Sequence, residues 1–125
     1  MRDVAETFHR MWAEQKTFMH LLQKMRNFPD FPVDLTSKDG QRLIKEIIHD
    51  CQDELGEARV LLKNSKNHRQ TEVTEFDRAS YVEELVDSFK FLLEILILSG
   101  VSYEEFCAAF DAKTHINTDR IKNGY

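Results

Sequence analysis

The feature that most constrains this chain is a pair of apolar helical stripes, each interrupted by carboxylates. In the first stripe, spacings of three and four residues join Leu43, Ile47, Asp50, Glu54, Glu57 and Leu61. In the second stripe, the same spacings join Tyr81, Glu84, Asp87, Phe91, Ile95 and Leu98. Side chains at these spacings lie on one face of an α-helix. The two stripes therefore predict two helices whose inward faces carry acidic groups.

Carboxylates on such faces need an explanation. Acid pairs at this spacing usually mark a solvated helix face, but both stripes begin and end with apolar residues. Inward carboxylates are costly to bury as ions and they repel one another. A hard cation such as Mg²⁺ offsets that cost, because it prefers carboxylate oxygens as ligands. The residues predict a metal site between helices two and three, held by Glu54, Glu57, Glu84 and Asp87.

The composition favours a single helical domain. A chain of 125 residues is long enough for one hydrophobic core, so we expect one domain over residues 1–125. Four glycines and two prolines are few, which favours helices over a turn-rich β fold. The net charge of −5 offers no strongly basic field, so no nucleic acid polymer is expected as a partner.

The sequence carries no signal for secretion or membrane insertion. The N-terminal stretch is charged, and the longest continuous apolar run, residues 95–98, is far too short to span a bilayer. The two cysteines, Cys51 and Cys107, do not have C-x-x-C spacing. We therefore expect them to be reduced thiols in the core. We therefore expect a cytoplasmic protein, of a cell or of an infected host cell, with no membrane partner.

Periodicity and capping residues predict an all-α, four-helix, bundle-like fold. The helices are expected over residues 3–27, 38–64, 80–99 and 103–121. The expected N-caps are Asp3 for helix one, Ser37 or Thr36 for helix two, and capping boxes at Ser80 and Ser102 for the last two. The Ser80 box gives Glu83 a structural role, and Gly100 is the expected stop of helix three.

Three further positions have both a functional and a structural interpretation. Gly56 lies inside helix two, between Glu54 and Glu57. Either a ligand approaches the backbone at this position, or the helix simply tolerates the glycine. Lys113, Asn117 and Arg120 continue the expected inward face of helix four. They are an anion-contact strip or ordinary cations at a helix C-terminus. Gln15 lies one turn past Met11 and Trp12 on helix one and is either an inward ligand contact or a satisfied or exposed glutamine.

The acidic motifs resemble those of a known family. The pattern E-x-x-E, a spacer and E-x-x-D is that of the all-α nucleoside triphosphate pyrophosphohydrolases, the dimeric dUTPases and their MazG-like relatives. Here it matches Glu54, Glu57, Glu84 and Asp87. Residues 83–91 look like the dUTPase version of the second motif. The strip Lys113-x-x-x-Asn117-x-x-Arg120 and the ending Gly124-Tyr125 look like the tail of the same branch.

The resemblance implies a Mg²⁺-dependent hydrolase, with Mn²⁺ as a possible substitute, that cleaves a (deoxy)nucleoside triphosphate to the monophosphate and pyrophosphate. It implies dUTP as the first substrate, with dCTP, dGTP or a non-standard nucleotide left open. The four acids would be the metal-binding and catalytic residues. One of these carboxylates would accept the proton of the attacking water, and Glu54 is the first candidate because of its proximity to the cluster. The substrate contacts would be Lys113 and Arg120 for phosphate, Asn117 for sugar or phosphate, and Gln15 and Trp12 for the base.

Two further expectations concern association. Helix three is apolar on almost every face from Phe91 to Leu98, more than a four-helix layer covers alone, so we expect a homo-oligomer. The family resemblance also implies a dimer or a tetramer. A helical adaptor whose acidic pairs bind partners is the alternative from another functional class, and it predicts acids that face water and no metal-dependent turnover.

Overall fold

The computed structural model describes residues 3–66 and 68–124. Within these ranges the chain forms four α-helices and no strand: α1 is Val4–Met25, α2 is Lys38–Val60, α3 is Arg78–Leu98 and α4 is Tyr103–Lys122. The predicted all-α fold with four helices is confirmed, and the helices end within a few residues of the expected positions. Tyr125, which belongs to the C-terminal resemblance, lies outside the described residues.

The chain forms two compact units. The terminal unit comprises residues 1–32 and 96–125, and the central unit comprises residues 33–95. The continuous helix α3 begins in the central unit, and its last turn belongs to the terminal unit. The expectation of one domain over residues 1–125 stays a prediction.

In the central unit, α2 packs antiparallel on the first part of α3 in a bundle-like pair. Ile44, Ile47 and Ala58 of α2 are buried, as is Leu93 of α3. The thiol of Cys51 donates a hydrogen bond of 3.3 Å to the carbonyl of Ser88, which fixes the register of the two helices. The small, buried Ser88 allows this close approach, because its own hydroxyl donates back to the Glu84 carbonyl at 2.9 Å.

In the terminal unit, the inward face of α1 carries Trp12 and Met19, both buried. Trp12 packs against Tyr103 and Phe106 at the start of α4, with ring centroids 5.7 Å from each. Ile97 and Leu98, at the end of α3, complete the buried set. Of the apolar residues of α1, Trp12 and Met19 therefore face the core of this unit, whereas Val4, Met11, Phe18 and Met25 are exposed.

Several predicted helix signals are confirmed. Ser37 caps α2 by accepting a hydrogen bond from Gly40 N, and Ser102 caps α4 by accepting one from Glu105 N. Gly100 ends α3 at a φ of +78°, and Val101 N donates to the Leu96 carbonyl at 3.0 Å. A left-handed residue at this position is the usual helix stop and suits glycine.

One predicted cap is wrong, and another is confirmed in position only. Asp3 is the N-cap residue of α1, as expected, but its side chain makes no capping hydrogen bond. Helix α3 begins at Arg78 because the carboxylate of Asp77 accepts hydrogen bonds from both Ser80 N and Ser80 Oγ, which hold the pKa of Asp77 below its ordinary value. Asp77 therefore replaces Ser80 as the cap, and Glu83 lies exposed inside the helix without a capping role.

The predicted inward face of helix four is also wrong beyond its first turns. Phe106 is half-buried, but Phe110 is 64% exposed and Ile116 is 46% exposed. No residue of α4 is buried. Aromatic packing holds only the start of the helix, so the rest of its apolar pattern faces solvent. No helix within residues 3–66 and 68–124 is long and apolar enough to cross a membrane.

Candidate metal centre

Three of the four predicted metal ligands meet in the central unit. One carboxylate oxygen from each of Glu54, Glu84 and Asp87 lies within 4.8 Å of the other two. Glu54 is on α2, and the other two residues lie one helical turn apart on α3. All three side chains are half-buried. The antiparallel register fixed by Cys51 and Ser88 brings them together, since these residues neighbour the acids along both helices.

Glu84 has the most unusual environment of the three. Its Oε2 is buried and has no hydrogen-bond partner among the described residues. Ionised carboxylates only accept hydrogen bonds, so its neighbours Glu54 and Glu57 offer it no donor unless a proton is held between them. Hydrogen bonds shared first with Glu54 and then with Glu57, together with burial, raise the pKa of Glu84 from 4.5 to about 7. Glu84 thus keeps a proton under conditions in which an exposed glutamate is ionised.

Two members of the first acidic stripe are more exposed than expected. Glu57 faces solvent and is not part of the three-residue group, although its carboxylate reaches Glu84. Asp50 is exposed as well, one turn before Glu54. The prediction that all the stripe acids point inward is therefore wrong for Glu57 and Asp50. Of the two acids in the first motif, Glu54 lies deeper.

The donor set of the cluster fits a hard divalent cation. Its ligand atoms are carboxylate oxygens, which Mg²⁺ and Mn²⁺ prefer over nitrogen or sulfur. The buried Glu84 Oε2 lacks any donor within the described part of the chain, and a cation between the carboxylates would satisfy it. Three adjacent negative groups repel one another when ionised, and a bound cation relieves that repulsion. The three residues that would hold it are Glu54, Glu84 and Asp87.

A further buried carboxyl, Glu94, was missed by the sequence reasoning. It lies on α3 and is only 7% exposed. Burial and then the charge of Asp50 raise its pKa to about 6. The helical period could have identified it, because Glu94 lies three residues beyond Phe91 and so continues the inward stripe of α3. It was overlooked because the residues around it form an apolar run.

The predicted base contacts lie in the terminal unit. Trp12 lines a cavity of about 620 Å³ together with Lys16, Phe31 and Tyr103. Gln15 is 4% exposed, and its Oε1 finds no hydrogen-bond donor among the described residues. Of the alternatives for Gln15, the exposed glutamine is therefore wrong, and its contact with a ligand stays a prediction. An amide oxygen left without a donor in a buried position is costly, and it is free to accept a hydrogen bond from a ligand.

The predicted phosphate contacts also lie in the terminal unit. Lys113, Asn117 and Arg120 are all exposed on α4, and the helix continues two residues past Arg120. The expectation that Lys113 and Asn117 extend an inward face is wrong. Their exposure leaves the side chains accessible to an anionic ligand, and their role in binding phosphate stays a prediction.

Comparison of the chain with protein-family models, with curated proteins and with solved structures found no match.

Proposed function

We propose that the chain is a Mg²⁺-dependent nucleoside triphosphate pyrophosphohydrolase of the dUTPase and MazG-like kind. The observation that carries the proposal is the convergence of Glu54, Glu84 and Asp87, with a buried Glu84 oxygen that lacks a donor among the described residues. These residues occupy three of the four acidic positions of the family's motifs. Solvated acids of an adaptor would not be half-buried beside one another.

In the proposed reaction, water attacks the α-phosphorus and the bond from that phosphorus to the bridging oxygen of the β-phosphate breaks. The products are the nucleoside monophosphate and pyrophosphate. When bound, Mg²⁺ or Mn²⁺ supplies positive charge that stabilises the triphosphate as negative charge develops on the leaving group. Glu54 accepts the proton of the attacking water. Glu54, Glu84 and Asp87 would hold the cation, and Glu57 would support Glu84 from the solvent side.

The remaining substrate roles rest on the family resemblance. Lys113 and Arg120 pair with phosphate oxygens, and Arg120 has the geometry for two parallel hydrogen bonds. Asn117 binds the sugar or a phosphate. Trp12 packs on the base, and the Gln15 oxygen accepts a hydrogen bond from a base N–H group. Because this oxygen is buried, neighbouring side chains would have to move to admit a base.

The proposed substrate is dUTP, with dCTP, dGTP and non-standard nucleotides as alternatives for the same reaction. The bases of dUTP, dCTP and dGTP each carry an N–H group that could donate a hydrogen bond to the Gln15 oxygen, so this contact alone does not select among them. The proposed enzyme is a cytoplasmic homo-oligomer.

The test is a pyrophosphate-release assay across the nucleoside triphosphates, with and without Mg²⁺. We expect Mg²⁺-dependent release, and its loss in Glu84→Gln and in Asp87→Asn, each made alone. Asp53→Asn is the matched control, because Asp53 precedes Glu54 on α2 but is exposed and pairs with His49 at 3.7 Å. This variant should keep its turnover. Absence of release from every triphosphate would refute the activity, and near-normal turnover of either cluster variant would refute the assignment at that position.

A further inference from the structure

The connection between α2 and α3, residues 61–77, contains a loop that one side chain closes. The amide of Asn64 donates a hydrogen bond to the Val73 carbonyl and accepts one from the Val73 N–H group, both at 2.7 Å. Asn64 thus pairs with both backbone groups of a residue nine positions ahead, as a neighbouring strand would. We call this pairing the clamp. The clamped loop is the segment that it closes, described over residues 64–66 and 68–73.

Apolar packing supports the clamp at the base of the loop. Val73 and Phe76 line a cavity of about 300 Å³ together with Leu61. The ring of Phe76 packs against that of Tyr81 on α3, with centroids 5.3 Å apart. Hydrogen bonds and ring packing therefore hold the loop before any ligand binds. Fixing a loop in this way lowers the entropy that is lost when its side chains order around a ligand.

The clamped loop brings two cations close together. Lys66 and Arg69 are both exposed, and neither belongs to an ion pair within residues 3–66 and 68–124. The N–H group of Arg69 donates to the Lys66 carbonyl at 3.2 Å, so the two residues begin and end one turn. The Cα atoms at the two ends of such a turn are less than about 7 Å apart. Like charges held this close repel each other, and an anion between them relieves the repulsion.

The loop lies at the end of the α2–α3 pair that carries the candidate metal centre. Helix α2 ends at Val60, six residues past Glu54, and α3 begins at Arg78, six residues before Glu84. At a rise of 1.5 Å per residue, each helix ends about 9 Å along its axis from the level of the cluster. This end of the pair therefore presents carboxylates that fit a hard cation, followed by the two cations of the loop. An anion with several phosphate groups suits both, because some of its oxygens bind a metal ion while others accept hydrogen bonds from lysine and arginine.

We propose that the clamped loop binds a polyphosphate anion, with Lys66 and Arg69 as the contacts and Asn64 as a positioning residue. Arg69 has the geometry to pair with a phosphate group through two parallel hydrogen bonds, and Lys66 acts as a compact charge. Asn64 acts through the clamp, which fixes the segment that carries the two cations. As a contact for the triphosphate or the pyrophosphate product, the loop rests on the proposed function. Its binding of an inorganic polyphosphate does not.

The first test is titration calorimetry of the full chain with inorganic pyrophosphate and inorganic triphosphate in excess Mg²⁺. Lys66→Ala and Arg69→Ala should each weaken binding about tenfold or more, because each loses a charge-assisted contact. The double variant Lys66→Ala/Arg69→Ala is compared with Arg42→Ala/Lys45→Ala as a matched control. Arg42 and Lys45 are exposed cations in the first half of α2, away from the loop, so their removal changes the net charge equally. The control should bind both anions as the wild type does.

The second test examines the clamp. Asn64→Ala removes the clamp but no charge, so it should weaken both anions about tenfold, because the loop must then be ordered on binding. Its helical circular dichroism and its Mg²⁺ affinity without phosphate should stay unchanged. Hydrogen exchange of the Val73 N–H group should become faster, since this group loses its acceptor. Added to Lys66→Ala/Arg69→Ala, Asn64→Ala should cost little more, because its effect passes through those cations. A fully additive loss overturns the positioning role.

The outcomes distinguish this inference from the proposed function. A wild-type chain that binds neither anion at millimolar concentration overturns the inference, and so does an unchanged affinity in Lys66→Ala/Arg69→Ala. An equal loss in Arg42→Ala/Lys45→Ala also overturns it, because the effect would then come from net charge. Loop-dependent binding of both anions without turnover of any nucleoside triphosphate supports the loop and refutes the proposed function. Turnover with an unchanged KM in the loop variants refutes the loop alone.

Discussion

The carboxyl of Glu84 makes protein stability and metal binding depend on pH in a way that can be measured. Hydrogen bonds with Glu54 and then with Glu57, together with burial, raise its folded-state pKa to about 7 from an ordinary value of 4.5. The metal-free folded chain therefore binds this proton more tightly than the unfolded chain does. The contribution to stability is fully present below about pH 4.5 and is lost as the pH rises through about 7.

The size of the effect follows from the two pKa values. Near pH 5.75, midway between them, the folded chain holds about 0.9 more protons at this site than the unfolded chain. The free energy of unfolding therefore falls with pH through this window in the wild type, and Glu84→Gln removes that part of the slope. The assay is urea unfolding at half-unit steps from pH 4.5 to 8 without metal, with the difference between the two curves as the readout.

Metal binding tests the same group from the other direction. A cation held by Glu84 needs the ionised carboxylate, so Mg²⁺ binding should release the proton of Glu84. The expected number of protons released per bound Mg²⁺ is about 0.9 at pH 6, about 0.5 at pH 7 and about 0.1 at pH 8. Titration calorimetry with Mg²⁺ in buffers of different ionisation enthalpy measures this number directly. The apparent Mg²⁺ affinity should rise over the same range.

The control is Glu94→Gln. Glu94 is buried on the same helix, and its pKa of about 6 also lies above the ordinary 4.5. This variant should remove a pH-dependent loss of stability between about pH 4.5 and 6, worth about 2 kcal/mol at pH 8. It should leave Mg²⁺-linked proton release unchanged. If Glu84→Gln does not change the slope, or if Mg²⁺ binds without releasing protons at pH 6, the reasoning about the cluster is wrong.

Three further predictions test individual positions. Gly56→Ala should stabilise the chain by about 1 kcal/mol in thermal unfolding, because a Cβ at Gly56 would meet no atom within 4 Å; a simultaneous fall in turnover would show that substrate approaches the backbone there. Glu57→Gln should weaken calorimetric Mg²⁺ binding less than Glu84→Gln does, because Glu57 is exposed and outside the three-residue group, and an equal loss would make it a full ligand. Arg120→Ala should lower kcat/KM roughly ten- to a hundredfold through a lost charge-assisted hydrogen bond without changing the Mg²⁺ affinity of the free protein, and unchanged steady-state kinetics would remove Arg120 from the site.

Local sequence determined the helices and several of their ends. Periodic apolar residues, the serines at positions 37 and 102, and the left-handed Gly100 act through bonds between residues close in the chain. The inward direction of Glu84 and Asp87 was also predictable, because both continue an apolar stripe of the same helix. These are short-range effects, so a single sequence contains them.

Only the tertiary structure decided which acids meet and which faces stay open. The approach of Cys51 to Ser88 sets the register of α2 on α3, and that register brings Glu54 to Glu84 while it leaves Glu57 in solvent. Burial between helices, and not helical period, raises the pKa of Glu94. The apolar pattern of α4 predicted an inward face, yet Phe110 is exposed because neighbouring elements cover only the start of that helix. Periodicity specifies which residues share a face, and long-range packing decides what that face contacts.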